Sequence, residues 1–200
     1  MTKASLPVIL LAAGASSRMR GRDKLMEDVD GQPLLRRQTR LAQSVGPVMV
    51  ALPPAPHPRY TALTGLDITP LPIPDAAEGM GASLRRAFTD LPPDTAAAMV
   101  MLADMPDLEP SDLACLAASV DLSSETLVWR ATTEDGRPGH PIIFAAALFD
   151  QLKRLSGDDG GRAVVHGAGA RVQMVPLPGQ RARLDLDTPE DWAAWRKPQE

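Results

Sequence analysis

Along the whole chain, short apolar runs alternate with stretches of helical spacing. PVILLA at 7–12 and VMVAL at 48–52 are unbroken apolar runs of strand length. Between them, PLLRRQTRLAQSV at 33–45 repeats its apolar positions at Leu34, Leu35, Leu41, Ala42 and Val45, with Pro33 placed to open a helix. The Pro-rich PPAPHPRYTALTG reads as a loop with a short helix, and ITPLPI at 68–73 as a weaker strand. GMGASLRRAF is a Gly-rich entry into a helix, and AAAMVMLADMP at 96–106 is an apolar strand that ends in an acid. After it, PSDLACLAASV predicts a helix, TLVWRAT and PIIF strands, AALFDQLKRL a helix, and VQMVPL at 172–177 the last strand. Strand and helix in alternation with short connections predict an α/β fold with a mostly parallel sheet and helices on both faces.

Composition narrows the class. With 200 residues, 44% hydrophobic and 23% charged, the chain suits one domain spanning 1–200 with a full core. The single cysteine, Cys115, has no partner for an internal disulfide, and in DLACLAAS it reads as a buried helical thiol. No apolar run approaches the roughly 18 residues of a membrane span, so the expected setting is a reducing cytoplasm, with no membrane partner. A net charge of −4 argues against a nucleic-acid binder. Against that acidic background Arg18, Arg20, Arg22 and Lys24 are a local concentration of cations. A secretory leader explains residues 6–25 poorly, because the apolar part is short, contains Pro7 and runs into arginines. A buried strand feeding a functional loop explains them better.

In such folds ligands collect at the carboxyl ends of strands. Three unusual segments lie there. AAGASSRMRGRDK has small residues that let backbone N–H groups approach an anion, and cations to complete a polyphosphate pocket; a solvated basic loop is the plainer alternative. It is neither a P-loop nor a GxGxxG turn. In LADMPDLEP, Asp104 follows an apolar strand, where it can cap a helix or, beside phosphates, bind Mg²⁺. In RLDLDTPEDWAAW at 183–195, Thr188-Pro189-Glu190-Asp191 is a helix start, which leaves Asp185 and Asp187 for a second metal carboxylate. Only one of those two is expected to matter, on the argument that they point to opposite sides of an extended segment.

LAAGASSRM…DKL, GMGASL, LADMP, GRPGHPIIF, GDDGG and LDLDTPEDW, in that order from Val8 to Trp192, resemble the MobA-like nucleotidyltransferases, specifically the molybdenum cofactor cytidylyltransferase branch. The resemblance implies a Rossmann-like, glycosyltransferase-A type three-layer fold, with residues 1–106 mainly handling nucleotide and 107–200 mainly handling the acceptor. It implies transfer of CMP from CTP to the phosphate of molybdopterin, with release of pyrophosphate and with Mg²⁺ or Mn²⁺ as cofactor. A molybdenum-dependent oxidoreductase would receive the product. One departure is that Arg20 separates Met19 from Gly21 where the family more often has RMG.

The residue roles follow. A phosphate monoester, with a second pKa of about 6, is already a nucleophile at neutral pH, so no catalytic histidine is needed. Arg18, Lys24 and Asp104 are the expected catalytic residues, with Asp104, Asp185 and Asp187 as metal ligands. Nucleotide contacts are expected from Leu11, Ala12, Ala13, Gly14, Ser16, Ser17, Arg18, Lys24, Gly81 and Ser83; for Ser83 a helix-capping role is the alternative. Acceptor contacts are expected from Arg137, His140, Asp158 and Gly160, although a histidine in a turn is usually structural. His57 and His166 read as surface residues without partners. In the family that the motifs resemble, LAAG at 11–14, rather than LAGG, goes with a pyrimidine nucleotide, CTP or UTP, and a physical reason is that a Cβ at residue 13 narrows the space for a purine. The rivals are another nucleotidyltransferase of the same fold, making a nucleotide sugar or CDP-alcohol or using GTP, and a non-catalytic protein that delivers the cofactor.

Overall fold

A computed structural model describes residues 6–157 and 160–197. The chain runs β1 (Val8–Leu11), a small hairpin β2 (Asp28–Val29) and β3 (Gln32–Pro33), α1 (Leu34–Gln43), β4 (Val48–Leu52), α2 (Pro58–Ala62) and β5 (Thr69–Pro72). It continues through α3 (Met80–Thr89), β6 (Ala97–Leu102), α4 (Pro110–Ala118), β7 (Val128–Thr132), β8 (Pro138–Ala145), α5 (Phe149–Leu152), α6 (Arg162–Ala168), β9 (Val172–Pro176) and α7 (Pro189–Trp195). Seven strands form one sheet in the order β5-β4-β1-β6-β8-β7-β9. All adjacent pairs are parallel except those made by β8, which is antiparallel to both β6 and β7.

The strands are apolar on both faces because both faces are covered. On β1, Val8 and Leu10 enter a core shared with α1, α4 and α7, whereas Ile9 enters the core under α3, α5 and α6. This is the three-layer α/β sandwich expected from the alternation. From β1 the chain moves outward to β4 and β5, then returns to place β6 on the other side of β1. The loops leaving β1 and β6 therefore diverge, and the crevice between them is the switch point where such sheets bind ligands.

The C-terminal segment is fastened across that crevice. Leu186 N–H donates to the Asp104 carbonyl just past β6 (3.1 Å), and His140 N–H of β8 donates to the Ala182 carbonyl (2.8 Å). Ala182 and Leu186 are buried, with Leu184 packed against the same core. Thr188 then starts α7 with a reciprocal cap: its hydroxyl accepts from Asp191 N–H (3.1 Å), and the Asp191 carboxylate accepts from Thr188 N–H (2.8 Å). Trp192 is fully buried and anchors the helix.

Two local expectations are corrected. Cys115 is exposed, because Leu113 and Leu116 take the inward face of α4 and leave residue 115 on the outer one. His140, expected in a turn, lies inside β8, which extends back to Pro138 through its pairing with β7.

Gly139 allows the close approach of β8 to the C-terminal segment, since a Cβ there would lie 1.9 Å from the Ala182 carbonyl oxygen. Gly139→Ala should lower the unfolding free energy by about 2 kcal/mol or more, through overpacking against rigid backbone. Urea denaturation measures it, and an unchanged midpoint would mean that the approach is not tight in solution.

Candidate active site

The loop after β1 is held in shape from below. Arg59, on α2 and 1% exposed, donates from NH1 to the Ala12 carbonyl (2.6 Å). Its Nε and NH2 reach the two oxygens of Asp23 (2.8 and 2.7 Å), and NH2 also reaches the Ser16 hydroxyl (3.1 Å). Ser16, at a positive φ of 52°, in turn donates to Asp23 Oδ1 (3.1 Å) and accepts from Lys24 N–H (3.3 Å). Burial raises the pKa of Asp23, but its hydrogen bond to Arg59 and the guanidinium charge outweigh this and hold it below the ordinary carboxylate value. Asp23 also caps the turn that begins at Lys24, by accepting from Leu25 N–H (3.0 Å).

Lys24 is thereby aimed across the switch point. Its Nζ donates to Asp104 Oδ2 and to Asp187 Oδ1 (2.6 Å), and Arg18 pairs with the other Asp187 oxygen (2.6 Å). Burial disfavours the ammonium, yet the charge and hydrogen bond of Asp104, then those of Asp187, raise the Lys24 pKa above normal. Asp187 is lowered: burial opposes its charge, and Lys24 and Arg18 overcome the opposition. Asp185 is raised, by burial and then by the charges of Asp104 and Asp187, because its neighbours are carboxylates.

Asp185 and Asp187 do not point to opposite sides as expected. Residues i and i+2 of an extended segment share a face, and here Leu184 and Leu186 occupy the inner one. Oxygens of Asp104, Asp185 and Asp187 all lie within 4.8 Å of one another. The buried Asp104 Oδ1 has no hydrogen-bond partner among the described residues. Three hard oxygen donors, one of them unsatisfied, fit a divalent cation such as Mg²⁺ or Mn²⁺.

A cavity of about 650 Å³ opens over this cluster, walled by Leu11 to Arg18, Lys24, Gly79, Met80, Ser83 and the three aspartates. A second cavity of about 560 Å³ adjoins it across Ala13–Ser17 and is floored by Pro53, Pro54, Ile73 and Pro74. All the nucleotide residues expected from the sequence line the first cavity except Gly81, whose N–H donates to the Gly157 carbonyl (3.0 Å) and whose missing side chain leaves room for that backbone. Arg20 and Arg22 pair with Glu190 and Glu27 instead.

The residues expected to meet the acceptor are less gathered. Arg137 is exposed and engaged with Asp135 in its own turn and with Gln180 of the C-terminal segment. His140 is partly buried; desolvation, then the charge of Arg130, push its pKa down to about 4, so it is neutral at pH 7. Gly160 precedes α6 outside the first cavity, and Asp158 lies outside the described residues. His166 is exposed as expected, whereas His57 accepts from Arg59 N–H (3.3 Å) and caps α2. The sequence reading missed Asp23 and Arg59. Nothing in their local pattern marks an ion pair between residues 36 positions apart.

Fold and site together define a nucleotidyltransferase with a carboxylate cluster competent for a divalent metal. Residues 8–174 match the MobA-like NTP transferase domain, and the chain belongs to that family. A relative from Synechococcus elongatus, named "Probable molybdenum cofactor guanylyltransferase", is 29% identical over 192 residues, covering 92% of this chain and 95% of its own. The crystal structure of Rv0371c from Mycobacterium tuberculosis H37Rv superposes with a TM-score of 0.82 at 26% identity, over 96% of this chain and 97% of that one. A manganese complex of Rv0371c gives 0.77 at 25% identity, over 95% and 97%. No helix among the described residues is long and apolar enough to cross a membrane.

Arg59→Met should destabilise the protein by about 3 kcal/mol, since it leaves the Asp23 carboxylate without its charge partner. Chemical denaturation at pH 7 reads this out. Wild-type stability in Arg59→Met would show that the loop does not depend on the pair.

Proposed function

We propose that the chain transfers the CMP moiety of CTP to the phosphate of molybdopterin. Membership of the family, and the name borne by the Synechococcus relative, support a nucleotidyltransferase acting on the molybdenum cofactor. The observation that carries the mechanism is the convergence of Lys24, Asp104 and Asp187 at the switch point between β1 and β6. An oxygen of the acceptor phosphate attacks the α-phosphorus, the bond from that phosphorus to the bridging oxygen breaks, and pyrophosphate leaves with the electron pair.

The protein's part is positioning and charge stabilisation. Backbone N–H groups of residues 13–17 are close to the cavity and suit the triphosphate oxygens. Lys24 and the 67% exposed Arg18 offset charge that grows on the leaving pyrophosphate. Asp104, with Asp185 and Asp187, would hold the divalent ion, which when bound acts as a Lewis acid toward phosphate oxygens. Lys24→Ala should lower kcat by about 10²-fold or more, in the range for loss of one electrostatic stabiliser, with folding intact. Turnover of this variant near the wild-type value would remove Lys24 from the mechanism.

For the nucleotide, the cytidylyl reading rests on Ala13, which is buried and shared by both cavities. The specific observation for the second reading, transfer of GMP from GTP, is the guanylyltransferase name of the 29% identical relative. The test is incubation with each nucleoside triphosphate and molybdopterin, with pyrophosphate release and product mass recorded. CTP should give the higher kcat/KM. In Ala13→Gly the preference should relax only partly toward GTP, because added space supplies no hydrogen bonds to a guanine edge. A wild-type preference for GTP would overturn the cytidylyl reading and leave the guanylyl one, whereas acceptor-independent binding without turnover would favour a delivery protein.

A further inference from the structure

We infer that Arg130, Arg162 and Arg183 together form the binding site for the acceptor's phosphate, a monoester dianion; the inference rests on the reading of the chain as a nucleotidyltransferase with a phosphate acceptor. Arg130 stands on β7 between Trp129 and Ala131, whose side chains enter the core under α1, α4 and α7, so Arg130 faces the α6 side of the sheet. Its Nε donates to the Gly139 carbonyl (3.0 Å), and Arg183 NH1 reaches the Pro138 carbonyl one residue earlier (3.5 Å). Two guanidiniums thus bond to the carbonyls of adjacent residues of β8, with the remaining nitrogens of Arg130 free of side-chain partners among the described residues. Arg162 opens α6 on the same side.

Arg162 and Arg183 are each close enough to Arg130 for their charges to act on it. Burial, and then the charges of Arg162 and Arg183, lower the pKa of Arg130. The neighbouring imidazole of His140 stays neutral at pH 7 and adds no further positive charge. Among the described residues none of the three arginines has a carboxylate partner, whereas Arg20, Arg22, Arg59, Arg85, Arg181 and Arg196 each have one. A half-buried Arg130 flanked by two like charges, with no carboxylate on any of the three among the described residues, is unfavourable, and an anion seated among them removes the repulsion while accepting their charge-assisted hydrogen bonds.

The location suits an acceptor. Arg183 is two residues before Asp185, so their Cα atoms lie within about 7 Å. The Gly157 carbonyl that precedes α6 is bonded to Gly81 N–H, in the segment that walls the nucleotide cavity. A dianion held by the arginines would lie on the acceptor side of the carboxylate cluster, while Arg18 and Lys24 serve the nucleotide side. Arg137, the cation that the sequence offered for this role, is instead neutralised by Asp135.

The experiment titrates the protein with inorganic phosphate and follows the ring resonances of His140 by NMR, in wild type, Arg162→Gln, Arg183→Gln and the double variant. The two replaced side chains are exposed, so the fold should be retained, and thermal denaturation checks it. Phosphate should shift the His140 resonances in the wild type, and each single variant should weaken the binding by about tenfold, as for one lost charge-assisted hydrogen bond. With molybdopterin, KM for the acceptor should rise at least tenfold in the double variant while KM for the nucleotide stays within twofold. Phosphate affinity unchanged in the double variant, or no response at His140 in any of the proteins, would overturn the arginine site. If phosphate binding falls as expected but wild-type protein does not turn over molybdopterin, the arginine site stands and the acceptor named above is wrong.

Discussion

The buried guanidinium of Arg59 is the constraint on which the site depends. A loop of small residues following a strand has little side-chain packing to define it, and Gly14, with nothing near its absent Cβ, adds no restraint. Arg59 supplies definition from underneath by joining the Ala12 carbonyl, the Ser16 hydroxyl and the Asp23 carboxylate in one set of hydrogen bonds. Its planar fork matches the carboxylate bidentately, which a lysine would not do. The loop then turns at Ser16, starts a new turn at Asp23, and delivers Lys24 to the crevice. Local conformation, burial and function are linked through that one side chain.

The crevice is completed by segments far apart in sequence. Asp104 arrives because β6 lies beside β1, and Asp185 and Asp187 arrive because Leu186 is bonded to the Asp104 backbone and Trp192 anchors the helix that follows. Three carboxylates at this spacing repel one another, as the raised pKa of Asp185 records. Lys24 and Arg18 relieve part of the repulsion, and one buried oxygen of Asp104 is left without a hydrogen-bond partner among the described residues. The same electrostatic logic, with signs reversed, applies to the proposed acceptor side, where Arg162 and Arg183 act on Arg130 and no carboxylate pairs with them among the described residues.

Much of the fold was legible from periodicity. The run at 48–52 became β4 with those bounds, and the apolar runs at 7–12 and 172–177 shortened only to β1 and β9. Periodicity failed where a side chain's surroundings are set by tertiary packing: Cys115 lies in an apolar-looking helix but faces outward, and Gly139 beside His140 permits strand contact rather than a turn. In the site, the small-residue loop, Lys24 and Asp104 were readable as chemistry at strand ends. Asp23, Arg59 and the arginine cluster were not, since a charged residue is silent in sequence until the fold shows whether its partner is an acid, a carbonyl or another cation.

The central claim is that nucleotide and metal meet at the crevice between β1 and β6. A crystal structure with Mn²⁺ and CTP, located by manganese anomalous scattering, tests it most directly. The account predicts a manganese peak bounded by Asp104, Asp185 and Asp187, a triphosphate against residues 13–18, and Lys24 moved from the carboxylates to phosphate oxygen. A manganese peak away from those aspartates, or a triphosphate bound outside that loop, would contradict it.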